Sequence, residues 1–406
     1  MNFIIEGALV SFDDGLRPAS VHVIDGHIAA VARSWASTAS PAVRIEKIDG
    51  RGCILSSGFI DLHCHGGAGA DVNDGSREAL ATLASYHFSH GVTALTPSLS
   101  VDPLPTLEKA LDVVRTVRRN AQNAGNGKQS KAGPEILGAH FESPYINPIY
   151  KGCQALERLL PFDQAAFSLI KNNSDVIARL TIAPELEGVM EAIPKLCGLG
   201  IVVAGGHTNA NAATFRAAVD RGLSMATHLY NAMSAVHKIG PFRESGALEA
   251  ALSDDRVFTE LIADGRHVSP EQLRIAYRCK GSERFLVCSD ASRGAGFSGG
   301  DRLFICGQEA IIEEGVATLA DRSSLASSVS SLDHMVRVLV KEAGLSIHQA
   351  LHAASAVPAK AIGLADRKGK IAVGYDADLV LLDSELEVQA VWGRGRGGFL
   401  DAKPCP

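Results

Sequence analysis

The sequence lacks the features that mark membrane, nucleic-acid-binding and disulfide-stapled proteins. Its 406 residues contain no apolar run long enough to cross a bilayer, so no membrane partner is expected. The formal net charge is -6 and no basic block occurs, which argues against nucleic acid as a partner. The 8 cysteines form no CxxC pair, and several lie within apolar runs, as reduced core thiols do. The N-terminal residues carry no basic stretch, so we expect no signal peptide and a cytoplasmic protein.

A GxGxxG stretch after a strand is also missing, which disfavours an open dinucleotide-binding sheet. The chain instead alternates apolar runs of strand length with helix-like stretches, and nearly every run ends in a polar side chain. The eight runs cover residues 59–65, 92–98, 135–143, 179–185, 200–207, 223–229, 258–264 and 284–290. This rhythm predicts an α/β fold with a closed (β/α)8 TIM barrel, with an open doubly wound sheet as the alternative.

The two ends of the chain differ from the middle, because they consist of short β-type runs broken by glycine and aspartate turns. We predict a small β-sandwich domain built from both termini, residues 1–57 and 358–406, beside a barrel of residues 58–357. Within the barrel, residues 120–134 are rich in Asn, Gly, Lys and Ser, and this composition predicts an exposed loop.

His63 and His65 end the first predicted barrel strand, just before the turn-forming Gly66 and Gly67. Side chains alternate along a strand, so the two imidazoles point the same way. The C-terminal ends of barrel strands are where such enzymes keep their chemistry. Two neutral imidazoles on one face suit a divalent metal, although an HxH pair alone is also compatible with an ordinary strand-to-loop junction.

Four later strand ends supply further candidate groups, namely Glu142, His207, His228 and Asp290. Converging imidazoles and carboxylates with an open position form a hydrolytic metal site, because a bound metal lowers the pKa of water to about 7 and polarises a carbonyl. Asp290, on the last strand, is the candidate for moving a proton.

These residues carry a resemblance to the amidohydrolase superfamily and, more narrowly, to the N-acetylglucosamine-6-phosphate deacetylases. The THLYNAM and ADGxH stretches are specific to the deacetylases. The matching stretches follow the family's order and are residues 58–66 (GFIDLHCHG), 91–93 (GVT), 140–142 (HFE), 183–185 (APE), 206–210 (GHTNA), 227–233 (THLYNAM), 262–267 (IADGRH), 289–291 (SDA) and 377–379 (ADL).

The resemblance implies a metal-dependent barrel and assigns roles at the metal. The main metal is expected at Glu142, His207 and His228. A second is expected at His63 and His65, with Glu142 bridging, so that one or two divalent ions bind per subunit. Zinc is the expected ion and iron the alternative. Asp290 is the expected catalytic acid and base.

The resemblance also implies a sugar-phosphate site and a homodimer, because the family completes its phosphate site across a dimer. The residues expected to bind the substrate are Asn231, Ala232, Arg243 and His267. A planar bidentate guanidinium such as that of Arg243 suits a phosphate.

The chain departs from the family at positions that contact the substrate. Gln154 stands where the family has a histidine that touches the acetamide, and a loop containing Ser327 replaces an Ala-Gly-Ser loop. We include both residues in the expected substrate site. Gln154 can donate a hydrogen bond but carries no charge, and a second metal at His63 and His65 would compensate for the lost polarisation.

The activity expected is removal of the acetyl group from N-acetylglucosamine 6-phosphate. Three alternatives stay open: a deacetylase of another N-acetyl amino-sugar phosphate such as N-acetylgalactosamine 6-phosphate, a cyclic-amide hydrolase, and a catalytically silent sugar-phosphate-binding relative. Asp290 argues against the silent relative. Cyclic-amide hydrolases normally carry a metal-bridging carboxylated lysine where Glu142 stands.

Overall fold

The computed structural model describes residues 2–32, 45–124 and 132–400. In these ranges the strands, in chain order, are β1 Phe3–Phe12, β2 Gly15–Ile24, β3 His27–Ala32, β4 Glu46–Asp49, β5 Ile54–Ser57, β6 Phe59–Cys64, β7 Gly66–Gly67, β8 Ala70–Asp71, β9 Val92–Leu99, β10 Glu135–Ile136, β11 Ala139–Phe141, β12 Ile177–Ile182, β13 Val202–Gly205, β14 Met225–Ala226, β15 His237–Ile239, β16 Phe242–Glu244, β17 Phe258–Ile262, β18 Phe285–Cys288, β19 Arg302–Ile305, β20 Gln308–Glu313, β21 Val316–Leu319, β22 Leu325–Ser328, β23 Leu379–Leu382, β24 Val388–Gly393 and β25 Arg396–Phe399.

The α-helices in the same ranges lie mainly between barrel strands. They are α1 Arg77–Ser89, α2 Leu104–Ala124, α3 Gln164–Asn172, α4 Val189–Gly198, α5 Ala212–Asp220, α6 Ala247–Ser253, α7 Pro270–Arg284, α8 Leu332–Lys341, α9 Ile347–Ala354 and α10 Ala356–Ala361. Within the described residues, none of them is long and apolar enough to span a membrane.

The predicted parallel barrel is confirmed. All eight predicted runs contain a strand, and the run at 135–143 contains both β10 and β11, which pair with β9. The sheet then continues in chain order through β12, β13, β14, β17 and β18. The end of the last strand meets the first, because the backbone N–H of Asp290 donates to the carbonyl of His63 at 2.8 Å and that of His65 donates to Ala291 at 2.8 Å.

Local sequence signals account for the start of several barrel helices. Ser76 caps α1 by accepting from the backbone N–H of Ala79, and Asn211 caps α5 in the same way through Thr214. The helix α2 continues to Ala124, so the loop predicted for residues 120–134 was placed too early. Residues 125–131 of that prediction lie outside the described residues.

The predicted small β domain from both termini is confirmed. Its strands form one hydrogen-bonded sheet in the order β25, β24, β23, β5, β1, β2, β3, with β4 also paired to β1. The sheet has its own apolar core, in which Phe3 stacks on Trp392 with ring centroids 5.4 Å apart. The predicted boundary at residue 358 falls inside α10, whose Ala359 packs with the apolar residues of the barrel strands. The exact division of the chain stays a prediction.

A four-stranded antiparallel sheet, β19–β22, is inserted after the last barrel strand and was not predicted from the sequence. It has a small core of its own, and it is joined to the barrel mouth because the backbone N–H of Ser292 donates to the carbonyl of Ser328 at 2.8 Å. Its first hairpin turns at Cys306, whose Sγ lies 3.3 Å from Sγ of Cys153. The insertion therefore forms one wall of the barrel mouth.

Candidate active site

The strand ends deliver the candidate side chains to the barrel mouth through an unusual backbone. His207, His228 and Asp290 each follow a barrel strand and have positive φ angles of 46°, 30° and 45°. Left-handed backbone is costly for residues other than glycine and concentrates at functional sites. The strained turns redirect the chain directly after the strand, so the three side chains lie over the barrel mouth.

Glu142, His207 and His228 form the first of two adjoining groups of possible metal ligands. The Nε2 atoms of His207 and His228 each lie 3.2 Å from Oε1 of Glu142 and 3.1 Å from each other. All three side chains are buried. This is the ligand set that the sequence predicted for the main metal.

His63, His65 and Asp290 form the second group. The Nε2 atoms of His63 and His65 are 3.1 Å apart, and they lie 3.4 Å and 3.3 Å from Oδ1 of Asp290. Glu142 lies between the groups, because its Oε2 is 3.2 Å from His65 while its Oε1 faces the first group. Asp290 is therefore placed as a possible ligand beside the histidine pair.

The spacing of these atoms fits a divalent metal. Tetrahedral ligands at 2.0–2.1 Å from one zinc ion lie about 3.3 Å from each other. Both groups have Nε2 and carboxylate oxygens at separations of 3.1–3.4 Å. Imidazole with carboxylate is also a donor set that zinc and iron accept. The described residues can therefore hold an ion at either group.

Each of the four imidazoles has an oxygen acceptor at its Nδ1. In His65, His207 and His228 the Nδ1–H donates to a backbone carbonyl, at 3.1, 2.7 and 3.2 Å. Because a carbonyl only accepts, the Nδ1 of each of these rings donates its proton, and Nε2 is the nitrogen that faces the ligand groups. In His63 the Nδ1 lies 3.1 Å from a carboxylate oxygen of Glu260 instead. Orientation by oxygen acceptors is typical of metal-binding histidines.

Charge within the site keeps the carboxylates ionised. Burial alone would raise the pKa of Glu142, but the neighbouring His63 and His207 more than offset this and hold the pKa well below its usual range. The same balance, burial opposed by His63 and His65, lowers the pKa of Asp290. Both carboxylates are therefore available as ligands or proton acceptors at neutral pH.

The groups open into one pocket, which collects most of the predicted substrate residues. The pocket is lined by His65, Glu142, Gly152, Cys153, Gln154, His207, His228, Asn231, Ala232, Ile262, His267, Asp290, Cys306, Ser324, Leu325 and Ser327. The hydroxyl of Ser327 donates to the backbone carbonyl of Asp290. Cys153, Cys306 and Ile262 are lining residues that the sequence did not identify, since their polarity and spacing gave no signal.

His267 is prepared to bind an anion. Its Nδ1 lies 2.6 Å from Oδ2 of Asp264. Burial alone would lower the pKa of His267, but the hydrogen bond and charge of Asp264 outweigh it and raise the pKa. With Nδ1 engaged, Nε2 is the nitrogen that remains for a ligand in the pocket.

Two predicted substrate residues lie differently from the expectation. Arg243 is exposed on the hairpin of β15 and β16 and does not line the pocket of its own chain. Gln154 lines the pocket, but its Nε2 donates to Oε2 of Glu142 at 3.1 Å and its Oε1 accepts from the backbone N–H of Val101 at 2.8 Å. The amide of Gln154 therefore engages a candidate metal ligand as well as facing the pocket.

Glu260 and Arg179 are buried charged residues beneath the pocket that were not predicted as site residues. Glu260, on β17, contacts His63, and its carboxylate is paired with the guanidinium of Arg179 on β12. Neither side chain is exposed. The signal was available, since each places a charge within an otherwise apolar strand, where an unpaired charge would be costly.

Comparisons with known proteins agree with this architecture. Residues 54–396 match the model of the amidohydrolase family. An N-acetylgalactosamine-6-phosphate deacetylase of Escherichia coli O157:H7 is 35% identical over 84% of this chain and 87% of its own length. An N-acetylglucosamine-6-phosphate deacetylase of Bos taurus is 34% identical over 86% of this chain and 84% of its own. The crystal structure of N-acetylglucosamine-6-phosphate deacetylase from Pasteurella multocida superposes with a TM-score of 0.88 at 27% identity, covering 98% of this chain and 100% of that one. The chain belongs to the amidohydrolase family of hydrolytic enzymes and, within it, to the N-acetylglucosamine-6-phosphate deacetylase family.

Proposed function

We propose that this protein is a metal-dependent hydrolase that removes the acetyl group from N-acetylglucosamine 6-phosphate, giving glucosamine 6-phosphate and acetate. The observation that carries the proposal is the convergence of four imidazoles with Glu142 and Asp290 at the mouth of a barrel from this family. Relatives named for this activity in Bos taurus and Pasteurella multocida support the choice of substrate.

The metal is expected at Glu142, His207 and His228, with a second ion at His63 and His65 and Glu142 between the two. Zinc is the proposed ion and iron the alternative, because both accept imidazole with carboxylate. When bound, the ion supplies acidity to a water molecule and polarises the acetamide carbonyl.

The chain's own residues supply proton transfer and substrate binding. Asp290, ionised and at the edge of the pocket, takes the proton of the attacking water and passes it to the leaving nitrogen. His267, Asn231 and the backbone at Ala232 line the same pocket and hold the sugar phosphate. The hydroxyl of Ser327 fixes the backbone of Asp290 and borders the same space.

Arg243 is proposed to bind the phosphate of the substrate that occupies the site of the neighbouring subunit in a homodimer. Its position on an exposed hairpin, outside its own pocket, supports this assignment. A guanidinium suits bidentate binding of a phosphate. The monomer alone would then lack part of the phosphate site.

A second candidate substrate, N-acetylgalactosamine 6-phosphate, is kept because a relative named for that deacetylase is 35% identical and because Gln154 changes a substrate contact.

Purified protein should be assayed for acetate release on both sugar phosphates and on unphosphorylated N-acetylglucosamine. We expect the highest kcat/KM for N-acetylglucosamine 6-phosphate, loss of turnover after chelation, and recovery on adding zinc or iron(II). Full turnover in protein that elemental analysis finds metal-free would refute the proposal, and a preference for the galactosamine substrate would move it to the second candidate.

A further inference from the structure

We propose that Glu260 is a positioning residue that holds the ring of His63 so that His63 and His65 can bind a metal ion. The inference rests on the proposed function, since it assumes that an ion binds at these two histidines. Glu260 lies beneath the pocket and does not line it, so it acts through His63 rather than on the substrate.

The geometry singles out His63 among the four imidazoles. Three of the rings are oriented by backbone carbonyls, whereas the Nδ1–H of His63 donates to Oε1 of Glu260 at 3.1 Å. On the other side of the same ring, Nε2 lies 3.1 Å from Nε2 of His65. A carboxylate partner fixes both the tautomer and the rotation of an imidazole, and it makes the second nitrogen a stronger ligand.

Arg179 holds the carboxylate of Glu260 in place. Its two terminal nitrogens bind the two carboxylate oxygens, with a distance of 2.8 Å to the oxygen that faces His63. The guanidinium is itself fixed by the carbonyl of Leu62 at 3.1 Å and the hydroxyl of Thr227 at 3.0 Å. This bidentate pairing leaves the carboxylate little freedom to rotate.

Glu260 contacts the first ligand group only weakly. The backbone N–H of His228 lies 3.4 Å from Oε1 of Glu260, and the His228 ring takes its orientation from the carbonyl of Asn231. Loss of the carboxylate should therefore weaken the ion at His63 and His65 and leave the ion at Glu142, His207 and His228 largely unchanged.

The competing explanation is that Glu260 only neutralises the buried guanidinium of Arg179. A single Glu260→Gln change cannot separate the two, because it leaves Arg179 buried without its counter-charge. The double variant Arg179→Met with Glu260→Gln removes both charges. It should recover the melting temperature that the single variant loses, and it still lacks the carboxylate behind His63.

The experiment measures zinc affinity of the full-length protein by competition with a chromophoric chelator, alongside the melting temperature. A His63→Ala variant identifies which bound zinc depends on His63. In both Glu260→Gln and the double variant we expect this zinc to bind roughly 10–100-fold more weakly, the scale found for partners of metal-binding histidines. The zinc that survives in His63→Ala should keep its affinity within about threefold, since its ligands do not depend on Glu260.

Native-like affinity at the His63 site in the double variant would overturn the inference and leave Glu260 with a purely structural role. Absence of any His63-dependent zinc in native protein that releases acetate would also overturn it, while the proposed function stands. Native protein that binds zinc at His63 but releases no acetate from the sugar phosphates would instead count against the proposed function, and leave the role of Glu260 intact.

Discussion

At the scale of single residues, Asp290 is constrained through both its backbone and its side chain. Its backbone has a positive φ of 45° and closes the barrel through its N–H, while its carboxylate lies between His63 and His65. Burial alone would raise the pKa of Asp290, but the two histidines lower it by more, so the carboxyl group is ionised at neutral pH. It can therefore accept a proton without first losing one.

Replacing Asp290 by Asn should lower kcat for the sugar phosphate by roughly 10²-fold or more, because an amide cannot accept the proton. The zinc ion at Glu142, His207 and His228 should stay bound, since Asp290 does not belong to that ligand group. Acetate release and elemental analysis on the same preparation provide the check. A near-native kcat would remove Asp290 from the proposed mechanism.

Gln154 is the second residue with a specific consequence, because it links the backbone of Val101 to Glu142. Gln154→Ala should lower kcat/KM about tenfold, the effect of losing a hydrogen bond to a charged group. Gln154→His should retain most of the activity, since an imidazole N–H can donate in the same direction. Equal kcat/KM in the native and Ala proteins would contradict this assignment.

At the scale of elements, ion pairs link β10, at the end of the barrel remote from the site, to the segment that precedes the C-terminal strands β23–β25. Glu135 on β10 binds Arg367 at 2.7 Å and Lys368 at 2.9 Å, and these residues also pair with Asp376. Burial alone would raise the pKa of Glu135, but Arg367 and Lys368 lower it to about 2. A carboxyl whose pKa is lowered in the folded protein stabilises it above the ordinary pKa near 4.5 and loses that contribution as the pH falls towards 2.

Glu135→Gln should therefore lower the free energy of unfolding by about 1–3 kcal/mol at pH 6. The upper limit follows from the lowering of the pKa of Glu135, and the lower limit allows for solvent screening of its partly exposed side chain. The difference from the native protein should shrink as the pH falls from 4.5 towards 2. Denaturant titrations at several pH values measure it. The exposed pair of Glu283 and Lys360 offers a control, because Glu283→Gln should change stability by less than about 1 kcal/mol. A pH-independent loss in Glu135→Gln would exclude the ionic explanation.

Elements were predictable where the sequence period is strong and local. The eight barrel strands follow from apolar runs, and the caps at Ser76 and Asn211 follow from residue type. The sheet β19–β22 was not found, since its strands are short and the first two, β19 and β20, are only partly buried and so have no continuous apolar pattern. The ligand residues were found at strand ends, whereas the contacts of Gln154 and Glu260 depend on which distant strands meet, and local patterns do not encode that.

At the scale of the whole molecule, the position of Arg243 separates two arrangements of the phosphate site. The residue is exposed on the β15–β16 hairpin, outside the pocket of its own chain. If Arg243 acts across a homodimer, each site combines Asp290 of one subunit with Arg243 of the other. A dimer of two different variant subunits can then have one intact site, which is not possible if each site is built from a single chain.

Arg243→Ala should lower kcat/KM for the phosphorylated sugar by a factor equivalent to roughly 2–4 kcal/mol, the scale for losing a charge-assisted contact. The kcat/KM for an unphosphorylated analogue should fall much less. Co-expressed Arg243→Ala and Asp290→Asn subunits should regain activity, because in the mixed dimer one site has both an intact Asp290 and an intact Arg243. Each variant alone serves as the control. No gain on mixing, with dimers confirmed by mass, would place Arg243 in the site of its own chain or outside it.

The seam where the last barrel strand meets the first has a consequence for how the protein matures. Glu142, His207 and His228 have all been synthesised once the ribosome has passed the sixth barrel strand, whereas His63 and His65 meet Asp290 only after β18 has been made. The backbone bonds that close the barrel are made by the same residues that complete the second ligand group. The second ligand group is therefore complete only once Asp290 has been synthesised, later than the first group, and a nascent chain stalled before β18 would carry the histidine pair without the carboxylate that completes it.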